Sequence, residues 1–129
     1  MALTLVLKPH ERMIIGGAVM KNGSRTTEFS VENTVSILRE KDIMSDSEAI
    51  TPCRRIYFVI QLMYVDSGCL SEYMAMFREL TEDVVSAAPS TIDYIERITD
   101  LTSDGKYYQA LKLARKLINY EEELLKHVH

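Results

Sequence analysis

Residues 51–65, with the sequence TPCRRIYFVIQLMYV, mark the point at which the chain changes from an extended to a helical pattern. Thr51 followed by Pro52 is typical of a helix start, because a threonine side chain caps free amide groups and proline is tolerated at the first helical position. The residues that follow are apolar around most of the helix girth. We therefore predict a central, buried helix over residues 52–65.

Three further helices are predicted by apolar residues at helical spacing, over residues 70–87, 91–101 and 106–127. The last of them carries a continuous apolar face that includes Leu117. Because the first and last helices are the most apolar, we expect them to pack on each other and on the preceding sheet. The acidic run over residues 121–123 is predicted to be an exposed helix face.

Short alternating segments precede residue 50 and predict about five short antiparallel strands. Gly16-Gly17 can supply the positive φ angles of a tight turn, and Asn22-Gly23 is a strong β-hairpin signal. The predicted fold class is α+β. We expect a small antiparallel sheet or barrel in residues 1–50 and a four-helix part in residues 51–129, packed as a single compact chain.

Composition indicates an ordinary globular protein of one domain. The 129 residues are 47% hydrophobic and 26% charged, which is typical of folded domains. The longest apolar stretch, residues 56–65, is too short to span a bilayer. Residues 1–4 lack the features of a secretory signal, and Cys53 and Cys69 match no metal or redox spacing. We therefore expect a cytoplasmic protein with two free thiols and no membrane association.

Charge is distributed unevenly along the chain. The net charge of −4 argues against a generic nucleic-acid binder, which would usually be basic. Residues 1–55 hold eight Lys and Arg against seven Asp and Glu, whereas residues 56–129 hold seven against twelve. The first part is therefore +1 and the second −5, so an anionic partner should prefer the first part.

Catalytic patterns are lacking. The sequence has no Ser-His-Asp or Cys-His spacing, no glycine-rich loop ahead of a helix and no cluster with metal-ligand spacing. We expect a protein that is not an enzyme and that uses neither a cofactor nor a metal.

Basic residues at two places are candidates for binding an anion. Arg54 and Arg55 begin the first helix, where positive charge opposes the helix dipole, so they should face either an anionic partner or an acidic neighbour within the chain. Arg39 ends the last strand at a position that strict alternation places on the same face as the apolar residues. It must therefore reach a rim, a partner or a carboxylate, and a salt bridge within the chain is an equal alternative.

Three blocks of sequence resemble the FlbT family of flagellum biosynthesis regulators. They are LREKDIM (38–44), TPCRRIYF (51–58) and YYQALK (107–112), the last continued by RKL (115–117) and YE (120–121). The resemblance extends over essentially the whole chain. It implies an alphaproteobacterial, cytoplasmic post-transcriptional regulator without a cofactor. Such a protein binds the 5′ untranslated region of flagellin mRNA and controls its stability and translation, usually as a repressor.

Residues 3–43 are also similar to the CsrA/RsmE carbon-storage regulators, small β-proteins that bind mRNA leaders as intertwined dimers. This resemblance implies that the first strand and the arginine ending the last strand of the partner chain form the RNA site, and it implicates Thr4, Leu5 and Arg39. The chain departs from that family in its short third strand and in the lack of arginines after the threonine.

Two classes of function follow. In the first, the chain binds a flagellin mRNA leader, and the candidate RNA-binding residues are Thr4, Leu5, Arg12, Arg39, Lys41, Arg54 and Arg55. In the second, it is a protein-interaction adaptor whose acidic helical half binds a flagellin, an export component or another flagellar regulator, so that effects on RNA are indirect. In either case the open edges of short strands predict a homodimer or higher oligomer built through the β half.

Overall fold

The computed structural model describes residues 2–127 and divides the chain into two units. The first unit ends at Ile43, and the second begins at Met44. Five short antiparallel strands lie in the first unit and four helices in the second, so the predicted α+β class is confirmed. Within residues 2–127, every helix is too short or too polar to cross a bilayer.

The strands of the first unit form two small sheets rather than one. They are β1 (Leu3–Leu7), β2 (Arg12–Ile15), β3 (Ala18–Lys21), β4 (Thr27–Val31) and β5 (Ile37–Arg39). β1 pairs with β4, and β2 lies between β3 and β5; every pairing is antiparallel. Gly16 and Gly17 join β2 to β3 with φ angles of 56° and 87°, which confirms the predicted tight turn.

The core of the first unit lies between its two sheets. Leu5, Leu7 and Met13 are buried, and partly buried side chains from both sheets pack around them: Ile15, Phe29, Val31 and Ile37. β1 and β4 supply one half of this cluster, and β2 and β5 supply the other, so the two sheets share it.

The predicted hairpin at Asn22-Gly23 is wrong. β3 pairs with β2 and β4 pairs with β1, so these two residues connect different sheets. The Asn22 side-chain amide donates hydrogen bonds to the carbonyls of Leu7, Lys8 and Arg25, and Gly23 does not adopt the positive φ that a type I′ turn requires. The asparagine therefore ties the end of β3 to the end of β1 instead of closing a two-residue turn.

The helices of the second unit agree with the sequence prediction to within two residues. They are α1 (Pro52–Val65), α2 (Leu70–Ala87), α3 (Ile92–Ser103) and α4 (Tyr107–Lys126). The Thr51 hydroxyl accepts a hydrogen bond from the Arg54 amide, so the predicted cap of α1 is confirmed. α1 is the central helix of this unit and packs against both α2 and α4, as its wide apolar surface predicts.

One buried polar residue ties the connector to the helices. Gln61 interrupts the apolar surface of α1 and is only 5% exposed. Its side-chain oxygen accepts a hydrogen bond from the Met44 amide at 2.8 Å, and its side-chain nitrogen donates to the Met44 carbonyl at 2.9 Å. Both polar groups of the glutamine are thus satisfied, and they hold the connector at Met44 against α1.

Candidate nucleic-acid interface

A polar cleft of about 530 Å³ lies in the first unit, between the turn after β1 and the end of β5. Its lining contains three basic residues and a histidine beside two carboxylates: Lys8, His10, Arg39 and Lys41, with Glu11 and Glu40. The structure therefore brings together two of the predicted residues, Arg39 and Lys41. It adds two that the sequence analysis missed, Lys8 and His10.

The turn between β1 and β2 fixes the position of Lys8 and His10. The Glu11 amide donates to the Lys8 carbonyl, and the Glu11 carboxylate accepts from the Lys8 amide at 2.9 Å. His10 has a φ of 62°, which is uncommon for a residue other than glycine. Its amide donates to the Gly23 carbonyl at 2.9 Å, and this hydrogen bond helps to hold the turn. Both side chains are exposed at the edge of the cleft.

Arg39 is held at the rim of the cleft by groups of its own unit. Its Nη2 donates to the Val6 carbonyl at 2.7 Å and lies 3.7 Å from a carboxylate oxygen of Glu11. The side chain remains 38% exposed. The alternative of a salt bridge within the chain is therefore realised, and the guanidinium still faces solvent.

Lys8 and Lys41 are the lysines of the cleft, and their ammonium groups are available to a ligand. Among residues 2–127, neither ammonium group forms an ion pair or a hydrogen bond. Lys41 lies in the single helical turn Glu40–Asp42, directly after β5. An exposed, unpaired ammonium group can contact a phosphate without first breaking an internal bond.

The other candidates in the first unit lie outside the lining of the cleft. Arg12 is exposed at the start of β2, and its amide donates to the Glu40 carboxylate at 3.2 Å. Thr4 is exposed on β1, with its hydroxyl 3.5 Å from that of Ser30. Leu5 is buried in the apolar cluster, so its side chain belongs to the core.

Arg54 and Arg55 lie in the second unit, and each has a partner within it. The Arg54 guanidinium forms an ion pair with Glu122 at 3.1 Å, and Arg55 Nε donates to the Ala49 carbonyl at 3.4 Å. The neighbouring Tyr57 is buried, with the Arg115 guanidinium 4.5 Å above its ring. The acidic neighbour that the sequence analysis allowed for is therefore present, and Tyr57 is a core residue.

The predicted exposure of the acidic run at residues 121–123 is wrong for its first member. Glu121 is half-buried, and its carboxylate accepts hydrogen bonds from the Thr51 hydroxyl and from the Cys53 amide, the latter at 3.1 Å. A carboxylate at this place satisfies free donors and offsets the positive end of the α1 dipole. The role of Glu121 could not be predicted from the sequence, because residues 51 and 121 are far apart in the chain.

The thiol of Cys53 is buried beside Glu121 at the start of α1. Burial, and next the negative charge of Glu121, raise the pKa of the Cys53 thiol well above its ordinary value. Cys69 is half-buried, and both cysteines are free, as predicted. Because the thiolate is the nucleophilic form, burial and the raised pKa both lower the reactivity expected of Cys53 in the folded chain.

Comparison with known protein families identifies the family to which the chain is related. The family model described as "Flagellar protein FlbT" matches residues 3–125. The chain belongs to the FlbT family. No solved structure matches the chain significantly.

Curated FlbT proteins are similar over nearly their full length. The "Probable flagellum biosynthesis repressor protein FlbT 1" of Bradyrhizobium diazoefficiens is 42% identical, covering 96% of this chain and 85% of the relative. A Caulobacter relative is also 42% identical over 99% of both chains. The "Flagellum biosynthesis repressor protein FlbT" of Caulobacter vibrioides is 38% identical over 99% of this chain and 92% of the relative.

Proposed function

We propose that this protein is a cytoplasmic, post-transcriptional repressor of flagellum biogenesis that binds the 5′ untranslated region of flagellin mRNA and has no catalytic activity. The observation that carries the proposal is the cleft of the first unit, where Lys8, Arg39 and Lys41 converge. The names of the FlbT relatives support the repressor role. Protein bound at the leader would change the access of ribosomes and nucleases to the mRNA. It would thereby change the translation and the decay of the mRNA.

The charges of the two units favour RNA binding at the first. Residues 1–43 contain six Lys and Arg against five Asp and Glu, and residues 44–129 contain nine against fourteen, giving net charges of +1 and −5. Phosphate contacts from lysine and arginine supply most of the affinity of such interfaces. Lys8 and Lys41 would contact phosphates, while Arg39, oriented by the Val6 carbonyl, can contact a phosphate or a base edge.

The first experiment titrates a labelled flagellin leader RNA with the protein at several salt concentrations. We expect Lys8→Ala combined with Lys41→Ala to weaken binding by about ten-fold and to lower the salt slope by about one unit for each lost phosphate contact. The matched control is Lys106→Ala with Lys116→Ala, because these lysines are also exposed but lie in the acidic unit. Equal affinity of the cleft variant and the parent would contradict the cleft as the RNA site.

The arginines are tested separately because each has an internal partner. Arg39→Ala should weaken binding to leader RNAs of different sequence. An unchanged circular dichroism spectrum shows that the variant is still folded. The double change Arg54→Ala with Arg55→Ala asks whether the second unit adds phosphate contacts. If binding is insensitive to salt and to all of these changes, the adaptor function, in which the effect on RNA is indirect, replaces the proposal.

We also propose that the protein is a homodimer or higher oligomer built through the first unit. All four residues of β3 are exposed, with Val19 69% and Met20 43% accessible, and no strand in the described part of the chain, residues 2–127, pairs with its outer edge. An exposed apolar edge strand is a template for pairing with another copy.

Light scattering at micromolar concentration should therefore give at least twice the 14.8 kDa mass of one chain. Val19→Asp should lower that mass toward a single chain, because a charge on the open edge opposes strand pairing. A parent protein that scatters as a monomer would exclude the oligomer.

A further inference from the structure

A second cavity, of about 740 Å³, lies wholly within the helical unit. It opens where the start of α1, the end of α2 and the last turns of α4 meet. Its walls are mainly apolar, and the side chains that matter here are those of Ile50, Val84, Ala87, Leu124 and Leu125. Ile50 is 69% exposed and Leu125 is 57% exposed. The apolar surface therefore continues from the cavity onto its edge.

The charged residues that line this cavity are both acidic. Glu121 is already engaged by Thr51 and Cys53. Asp83 is exposed, and its carboxylate forms no hydrogen bond or ion pair with any residue in the range 2–127. Among the described residues, 2–127, no lysine or arginine belongs to the lining. An apolar cavity with one unpaired carboxylate, in a unit of net charge −5, is complementary to a ligand that is apolar and cationic.

We propose that this cavity docks an amphipathic helix of a partner protein, with apolar side chains inserted between α2 and α4 and a lysine or arginine facing Asp83. The volume lies within the range of ligand pockets. The exposed Ile50 and Leu125 give an extended ligand apolar surface to cover beyond the cavity itself. An apolar helix face laid into a groove is a recurrent mode of peptide recognition, with contacts at helical spacing.

The probe is a designed, fluorescently labelled peptide of about 18 residues, roughly five helical turns, built from leucine at helical spacing and lysine elsewhere. Fluorescence anisotropy with the full-length protein gives its dissociation constant. A second peptide with glutamate in place of lysine tests the sign of the charge. We expect the lysine peptide to bind and the glutamate peptide to bind at least about ten-fold more weakly.

Two pairs of variants on α2 separate docking in the cavity from general attraction to an acidic surface. Ala87→Arg places a bulky cation in the lining, whereas Ala75→Arg places the same side chain on the exposed surface of the same helix, outside the cavity. Asp83→Lys reverses the lining charge, and Glu82→Lys makes the same change at the neighbouring exposed residue.

We expect Ala87→Arg and Asp83→Lys each to weaken binding by about ten-fold, and both controls to stay within about two-fold of the parent. Equal losses at residues 82 and 83, or equal affinities of the Ala75 and Ala87 variants, would overturn the proposal. If Ala87→Arg does not fold, as judged by circular dichroism, the Asp83 and Glu82 pair decides alone. The lysine variants that test the RNA site lie in the other unit, so either proposal can fail without the other.

Discussion

Leu117→Ala is expected to lower the free energy of unfolding by about 2–5 kcal/mol. Leu117 is completely buried on α4, and α4 packs along α1, the central helix of its unit. The substitution removes three carbon atoms from a close-packed interior and leaves a cavity that the surrounding helices can fill only in part. Urea denaturation followed by circular dichroism measures the loss.

The matched control for this prediction is Lys116→Ala. Lys116 precedes Leu117 on the same helix but is exposed, and alanine is a good helix former, so the change should stay within about 0.5 kcal/mol of the parent. A loss for Leu117→Ala as small as that of the control would show that the packing of α4 against α1 contributes little to stability.

Glu121→Gln is expected to cost about 1–3 kcal/mol, because it removes the negative charge that serves two donors at the start of α1. In the parent, the two carboxylate oxygens accept from the Thr51 hydroxyl and the Cys53 amide. Glutamine has nearly the same shape, but one of its two terminal groups is a donor, so one of the partners is left without an acceptor.

Glu122→Gln is the natural control for that prediction. Glu122 is the next residue, with a side chain 49% exposed, and it forms one surface ion pair with Arg54. Exposed ion pairs contribute at most about 1 kcal/mol. Chemical denaturation of the two variants should therefore show that Glu121→Gln is the less stable protein. The reverse order would contradict the role of the Glu121 carboxylate in stabilising the start of α1.

Local signals account for the elements that the sequence predicted well. The bounds of α1 and α2 follow from Thr51-Pro52 and from long apolar periodicities, which depend only on neighbouring residues. The turn at Gly16-Gly17 is equally local. These features are independent of how the sheets or the helices are arranged.

Contacts between distant residues account for what the sequence did not reveal. The Asn22 side chain bonds to the end of β1 and not across its own turn, so a strong hairpin signal was overridden. Glu121 serves donors seventy positions away at Thr51. Lys8 and His10 became candidates for RNA contact only because the turn after β1 lies beside the end of β5. No periodicity or spacing carries this information.

The two cysteines differ in burial, so their reaction with a thiol reagent can be used to detect local opening of the fold. The Cys53 thiol is buried against Glu121, and Cys69 is half-buried near the start of α2. An alkylating reagent can react with Cys53 only after the start of α1 separates from the end of α4, because both access and thiolate formation require that separation. The labelling rate of Cys53 relative to Cys69 therefore measures how often this junction opens while the rest of the chain stays folded.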